Sequence, residues 1–245
     1  MEFNQMNEVD KDFFLRFFNY YDNQIAPDQI NVLKNEDYND TNRISIYQTP
    51  FNSIIFTAST FYNQIKDKIK KNDFGKKISL YSLKNLIDNN KFKDGDQTVF
   101  LYLNPNNHLE INAPNNFNIR KLTKKDKKAF LKFKEECSQA DLNEGQISFD
   151  DPIVVGCFSK DKLTAAASYW FWGKGLADIG VVVHPDFRKL GIGKATISKL
   201  AVYGHELNRI NVYRHNKLNK ASHNLALSLN FEKKMIIEPT RVLDI

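Results

Sequence analysis

Cysteine is scarce in this chain: Cys137 and Cys157 are the only two in 245 residues, and neither sits in a metal-ligand spacing. That excludes a disulfide framework, and it assigns both thiols to the core as small apolar side chains. Histidine is hardly commoner. His184, His205, His215 and His223, four of the five, form no H-x-x-x-H pair, so no metal is expected. No apolar run approaches the roughly 20 residues that cross a bilayer, and Met1-Glu2-Phe3-Asn4-Gln5 has neither a basic start nor an apolar stretch behind it. A cytoplasmic protein with no membrane partner is the expectation.

What is present is a core-forming composition, 42% apolar, and an uneven charge. Residues 1–116 hold 13 Lys and Arg against 15 Asp and Glu, whereas residues 117–245 hold 22 against 14. The second half is therefore strongly basic and suits a polyanionic ligand. No nucleic-acid motif accompanies that charge, and the run Lys121, Lys124, Lys125, Lys127, Lys128 reads as a solvated face, so nucleic acid is not an expected partner.

Glycine is sparse as well, and two of the 10 fall in the most informative stretch, Val181-Val182-Val183-His184-Pro185-Asp186-Phe187-Arg188-Lys189-Leu190-Gly191-Ile192-Gly193-Lys194. The valines form a buried strand that Pro185 ends. Gly191 and Gly193 then let a ligand approach the backbone where a helix starts, so that consecutive N–H groups and the helix dipole meet an anion. Arg188, Lys189 and Lys194 add positive potential. Two other phosphate motifs fail on spacing. A P-loop needs glycine and a hydroxyl residue where Arg188 and Ala195 stand, and a dinucleotide fingerprint needs glycine where Thr196 stands.

The spacing Arg188-x-x-Gly191-x-Gly193 behind Val183-x-Pro185 resembles the acyl-coenzyme A motif of the GNAT N-acetyltransferase superfamily. The order of elements from Phe117 onward resembles it too. Asn118–Thr123 reads as a strand with an N-cap threonine, and Ala129, Phe130, Phe133 and Cys137 as a helix stripe. Ile153–Phe158 and Leu163–Trp172 read as a hairpin, and Leu176–Val183 as the next strand. Ile197, Leu200, Ala201 and Leu207 mark a helix, and Ile210–Tyr213 another strand. Asn219, Ser222, Leu225 and Phe231 match the family's closing helix, with Asn230 in place of its usual glycine. Ala226 stands where members often carry a tyrosine acid, and Tyr213 or Ser222 is the candidate substitute.

The expected fold is α/β (α+β): a GNAT-like mixed central sheet flanked by helices over residues 117–245, preceded by a smaller α/β domain over 1–116. In the latter, Asp12–Ile25 and Thr60–Lys71 read as helices, Ser53–Ala58 and Gln97–Leu103 as strands, and Ala113–Asn116 as a linker. Either a degenerate copy of the same fold or an unrelated module fits that half. The architecture, with Asp178-Ile179-Gly180-Val181 entering the motif, has a fainter resemblance to the two-module group that includes the zwittermicin A resistance acetyltransferase.

The resemblance implies an N-acetyltransferase using acetyl-CoA (coenzyme A) as cosubstrate and no metal. It acts by direct attack in a ternary complex on a primary amine, of a small molecule in the first reading and of a peptide or protein N-terminus in the alternative. A non-catalytic acyl-CoA sensor or scaffold is the rival, and a homodimer is compatible with either. Implied donor-binding residues are Val181, Val182, Val183, Arg188, Lys189, Leu190, Gly191, Ile192, Gly193, Lys194, Asn219 and Ser222. The base candidates are Asp178 and Glu144. Asp178 is one residue out of the family's register, and a strand would turn it to the other face unless a bulge intervenes. Glu144 is assigned to a loop, Asp141–Gly145.

Overall fold

The computed structural model describes residues 2–88 and 91–243. The chain forms two compact units, one of Met1–Phe100, Asn216–Leu218 and Lys233–Ile245, the other of Leu101–His215 and Asn219–Glu232.

The first unit opens with α1 (Glu8–Tyr20), which starts at Asn7 because that side chain accepts the Asp10 amide at 2.9 Å. Phe13, Phe14, Phe17 and Phe18 recur on one face and are buried. The helix ends before Ile25, where Asp22 and Asn23 take left-handed backbone conformations, so the expected span is displaced toward the N-terminus. Then follow β1 (Asn31–Lys34), β2 (Arg43–Gln48), β3 (Ser53–Thr57), α2 (Ser59–Lys71), α3 (Leu80–Lys84), β4 (Phe92–Asp94) and β5 (Thr98–Leu103). β2 and β3 pair antiparallel, and β1 lies parallel to β3.

The second unit comprises β6 (Phe117–Lys121), α4 (Lys127–Glu135), α5 (Gln139–Gly145), β7 (Val154–Ser159), β8 (Lys162–Trp172), β9 (Leu176–Val183), α6 (Ile192–Glu206), β10 (Ile210–Asn216) and α7 (Lys220–Ser228). Its sheet runs β6-β7-β8-β9-β10, antiparallel up to β9, with β10 parallel to β9. Phe130 and Phe133 of α4 pack with Leu163, Ala166 and Val182 on one face. Ile192 of α6 packs with Cys157, Ala165 and Val183 on the other. The mixed sheet flanked by helices is the architecture expected from the sequence. Thr123 opens the turn Lys124–Asp126 that leads into α4 through a capping box with Asp126, and Arg120 holds the same carboxylate with both guanidinium nitrogens at 2.7 and 2.8 Å.

The expected boundary at residue 116 lies inside the second unit. Residues 101–116 belong with α6, where Ser198 Oγ donates to Leu109 O at 2.7 Å and accepts from Ile111 N at 2.9 Å. At the other end, β11 (Phe231–Val242) pairs antiparallel with β2 from Ile236 to Arg241, which puts most of the C-terminal strand in the first unit. Both assignments come from long-range pairing that no local pattern encodes. Asp141–Gly145 is also corrected, from loop to the body of α5, started by Ser138, whose side chain accepts the Asp141 amide. Both cysteines are buried, and burial pushes the Cys137 thiol up to about 11. No described helix is long and apolar enough to cross a membrane, and no metal-binding cluster of His, Cys, Asp or Glu occurs among the described residues.

Candidate functional site

β9 and β10 are in register from Leu176–Ile210 to Ile179–Tyr213, and the ladder ends there. β9 continues through Gly180 to Val183 and β10 through Arg214 to Asn216, and a cleft of about 530 Å³ opens beside the splayed strands. Its walls come from β9, the N-terminal turn of α6, α5 and the first turns of α7. A strand edge in such a place offers backbone N–H and C=O groups to an extended, amide-bearing ligand.

The turn that leads into α6 forms part of the cleft wall. His184 Nδ1 accepts the Asp186 amide at 3.2 Å and Nε2 meets Glu136 at 3.1 Å, which fixes the turn Pro185–Phe187 beneath α6. Lys189 and Gly191 both take positive φ, +62° and +78°, so the chain reverses twice before α6 begins. Gly191 occupies the N-cap, and a Cβ there would approach nothing nearer than Pro114 Cγ at 3.9 Å. Its backbone conformation, not crowding, therefore calls for glycine, and the space in front of the first α6 amides is open. Gly193 is different: a Cβ would lie 2.9 Å from Val183 Cγ2, so this glycine lets α6 sit close on β9.

The structure gathers most of the residues singled out in the sequence. Glu144, Val181, Val182, Val183, Arg188, Lys189, Gly191, Ile192, Gly193, Lys194, Asn219 and Ser222 all line the cleft. Leu190 is half exposed and does not. Arg188 Nη2 pairs with Asp141 at 2.7 Å, so part of its charge is already met. Ser138 and Arg188 together hold the Asp141 carboxyl below its usual range.

The two base candidates occupy different surroundings. Glu144 projects from α5 into the cleft, where its Oε1 accepts from Asn219 Nδ2 at 3.0 Å. Asn219 also caps α7 by accepting the Ser222 amide at 2.9 Å, so one side chain fixes the helix start and orients the carboxylate. Asp178 lines no part of the cleft. β9 pairs with β8 without a bulge, and Asp178 alternates onto the face it shares with Gly180 and Val182. There it is buried and bound by Arg214 Nε at 2.7 Å and Nη2 at 2.6 Å, while Arg214 itself stacks over Trp172 at 5.1 Å. Burial pushes the Asp178 carboxyl up against the opposing pull of Arg214.

Tyr213 sits at the apex of the splay, buried and hydrogen-bonded to Ser222, and burial holds its phenol above the ordinary value. Phe187, Arg214, Gly145 and Gly180 belong to the site without having been singled out for it. Gly145 and Gly180 touch where α5 crosses β9, and a Cβ on either would collide with the other element. The N-cap pattern Ser138-x-x-Asp141 was the available signal for that helix.

Residues 119–231 match the model of the acetyltransferase (GNAT) family. An acetyltransferase from the GNAT family from Colwellia psychrerythraea is 13% identical, with 97% of this chain and 98% of that chain covered at a TM-score of 0.54. A GCN5-related N-acetyltransferase from Kribbella flavida is 12% identical over 69% of this chain and 66% of that one, at a TM-score of 0.51. At these identities the likeness is one of fold. No curated protein sequence matches the chain.

Proposed function

We propose that this chain, whose residues 119–231 form a GNAT acetyltransferase domain, transfers the acetyl group of acetyl-coenzyme A to a primary amine of a small molecule, by direct attack in a ternary complex. The observation that carries the reading is that β9 and β10 part beyond Ile179 and Tyr213, and that the cleft there is lined together by the N-terminal turn of α6, Glu144 and Tyr213. The residues fit the donor. The backbone of Val181, Val182 and Val183 would pair with the amides of its pantetheine arm. The amides from Gly191 to Lys194, with Lys189 and Lys194, would receive its pyrophosphate, and Arg188, already half engaged by Asp141, would contribute less.

The donor supplies an activated thioester, so the protein's task is to align the amine and take up a proton. Glu144, oriented by Asn219, is the base in this reading, directly or through water. Asp178 serves as the anchor of Arg214. A non-catalytic acyl-CoA sensor is the second reading, favoured by Ala226, which is fully buried and has no proton to give. An acceptor panel with acetyl-CoA, followed by free-thiol release, separates the two. Turnover of any amine supports the transferase, whereas tight coenzyme A binding with no turnover on small amines or peptide N-termini supports the sensor.

A further inference from the structure

We propose that the open edge of β1, in the first unit, binds an extended acidic segment of another protein by strand addition. None of the residues lining this groove lines the acetyl-transfer cleft, so the two readings stand or fall separately. β1 ends the sheet and pairs with β3 on one side only. The Asn35 amide donates to Thr57 O at 2.9 Å. Peptide groups alternate sides along a strand, so those of Leu33 also face β3, while those of Val32 and Lys34 point outward. Among the described residues nothing pairs with the outward groups. Such a row is a template for a further strand.

The groove along this edge has a volume of about 450 Å³ and lies between β1, the second half of α2 and the turn 72–75. Its floor is apolar, because Ile30, Val32, Ile69 and Phe74 pack into the core of the first unit. Its entrance is fixed in advance. Asn31 Oδ1 accepts the Ala26 amide at 2.8 Å, and the side-chain amides of buried Asn31 and Asn52 both donate to Ala26 O and Gln29 O. A bound strand therefore costs little ordering of the protein.

The rim decides what kind of strand fits. Tyr62, Lys66 and Lys70 follow one another at helical spacing along the side of α2 that lines the groove. Lys66 Nζ donates to the Tyr62 hydroxyl at 2.7 Å, and the Lys34 and Lys66 ammonium groups each lie 5.0 Å from the Tyr62 ring centroid. Neighbouring Lys68 and Lys76 are held by Asp88 and Glu2, whereas Lys34, Lys66 and Lys70 meet no carboxylate among the described residues. The acid on the rim, Asp73, accepts the Gly75 amide at 3.0 Å within its own turn. Three cations against one anion turn away basic strands and make an apolar one bury unpaired charge. An added strand directs alternate side chains toward α2, where acidic ones meet Lys66 and Lys70.

The probe is a fluorescein-labelled Val-Glu-Val-Glu-Val-Glu peptide with blocked ends, titrated into the full chain and followed by fluorescence anisotropy. The parent binds it at one saturable site, more weakly at 500 than at 50 mM salt. The same peptide N-methylated throughout keeps its charge without its donors, and Val-Lys-Val-Lys-Val-Lys keeps the donors with the opposite charge; each binds about tenfold or more weakly. Val32→Pro removes an outward N–H without touching the β3 ladder, and Lys66→Glu combined with Lys70→Glu reverses the rim; both lose affinity by a similar factor. No binding to the parent, equal affinity for the N-methylated peptide, or parent affinity in the folded lysine variant overturns the proposal. Should Val32→Pro fail to fold, the N-methylated peptide and the lysine variant decide. A labelled oligothymidylate that binds the parent more tightly than the peptide and is lost in the lysine variant assigns the groove to nucleic acid and overturns it as well.

Discussion

Two carboxylates that look alike in the sequence occupy different surroundings, and single substitutions separate them. Glu144 faces the cleft and is steered by Asn219, so Glu144→Gln should keep coenzyme A affinity and lower turnover by about 10²–10⁴-fold, the usual worth of a general base. Asp178→Asn should instead lower stability by about 1.5–3 kcal/mol, the cost of weakening hydrogen bonds to a charged group, because Arg214 loses its anionic partner. Thermal melts and kinetics on both variants check the division; turnover lost in a well-folded Asp178→Asn and kept in Glu144→Gln would reverse the roles. Asp126 gives a pH signature. The Arg120 guanidinium, with help from the Thr123 amide and hydroxyl, holds the Asp126 carboxyl far below its unfolded value. A depressed folded pKa means stability that is present above the unfolded value of about 3.9 and is lost as pH falls below it. Asp126→Asn should therefore melt lower at pH 7 and lose less than the parent between pH 5 and pH 3, followed by thermal melts across that range.

The site depends on how α5 lies on β9. Gly145 and Gly180 meet there without side chains, and Gly180→Ala would push its Cβ into the Gly145 carbonyl. That overpacking should cost about 1–3 kcal/mol and shift Glu144, lowering both melting temperature and turnover. An alanine variant with parent values in both would show that the crossing is slack. This contact also marks the limit of what local sequence carries. The strand-turn-helix from Val181 to Lys194 was legible because valines, a proline and two glycines at fixed spacing each have a local reason. α5 was not, since Leu142 is its only large apolar residue and a short helix without a stripe resembles a loop. Gly193 shows the same limit: its spacing is visible in the sequence, but its close neighbour Val183 Cγ2 is visible only after folding.

Over the whole chain, charge and topology were legible to different degrees. The basic excess of residues 117–245 coincides with the cleft-bearing unit, so coenzyme A affinity should fall as salt rises from 50 to 500 mM, by screening of phosphate contacts. A salt-independent affinity would place the phosphates elsewhere. The boundary at 116 was misread because residues 101–116 are held by Ser198, and β11 by β2, through contacts 87 or more residues apart in sequence. Such pairings leave no periodic trace. The central claim is that the cleft beside splayed β9 and β10 holds coenzyme A by the turn at Gly191. Calorimetric titration of coenzyme A into the full chain and into Gly191→Asp tests it most directly, since aspartate is among the residues that best tolerate the positive φ of 78° there while its carboxylate repels phosphate. The account predicts one saturable site in the parent and none in a variant with an unchanged circular dichroism spectrum; absence of binding to the parent, or equal affinity in the two, would contradict it.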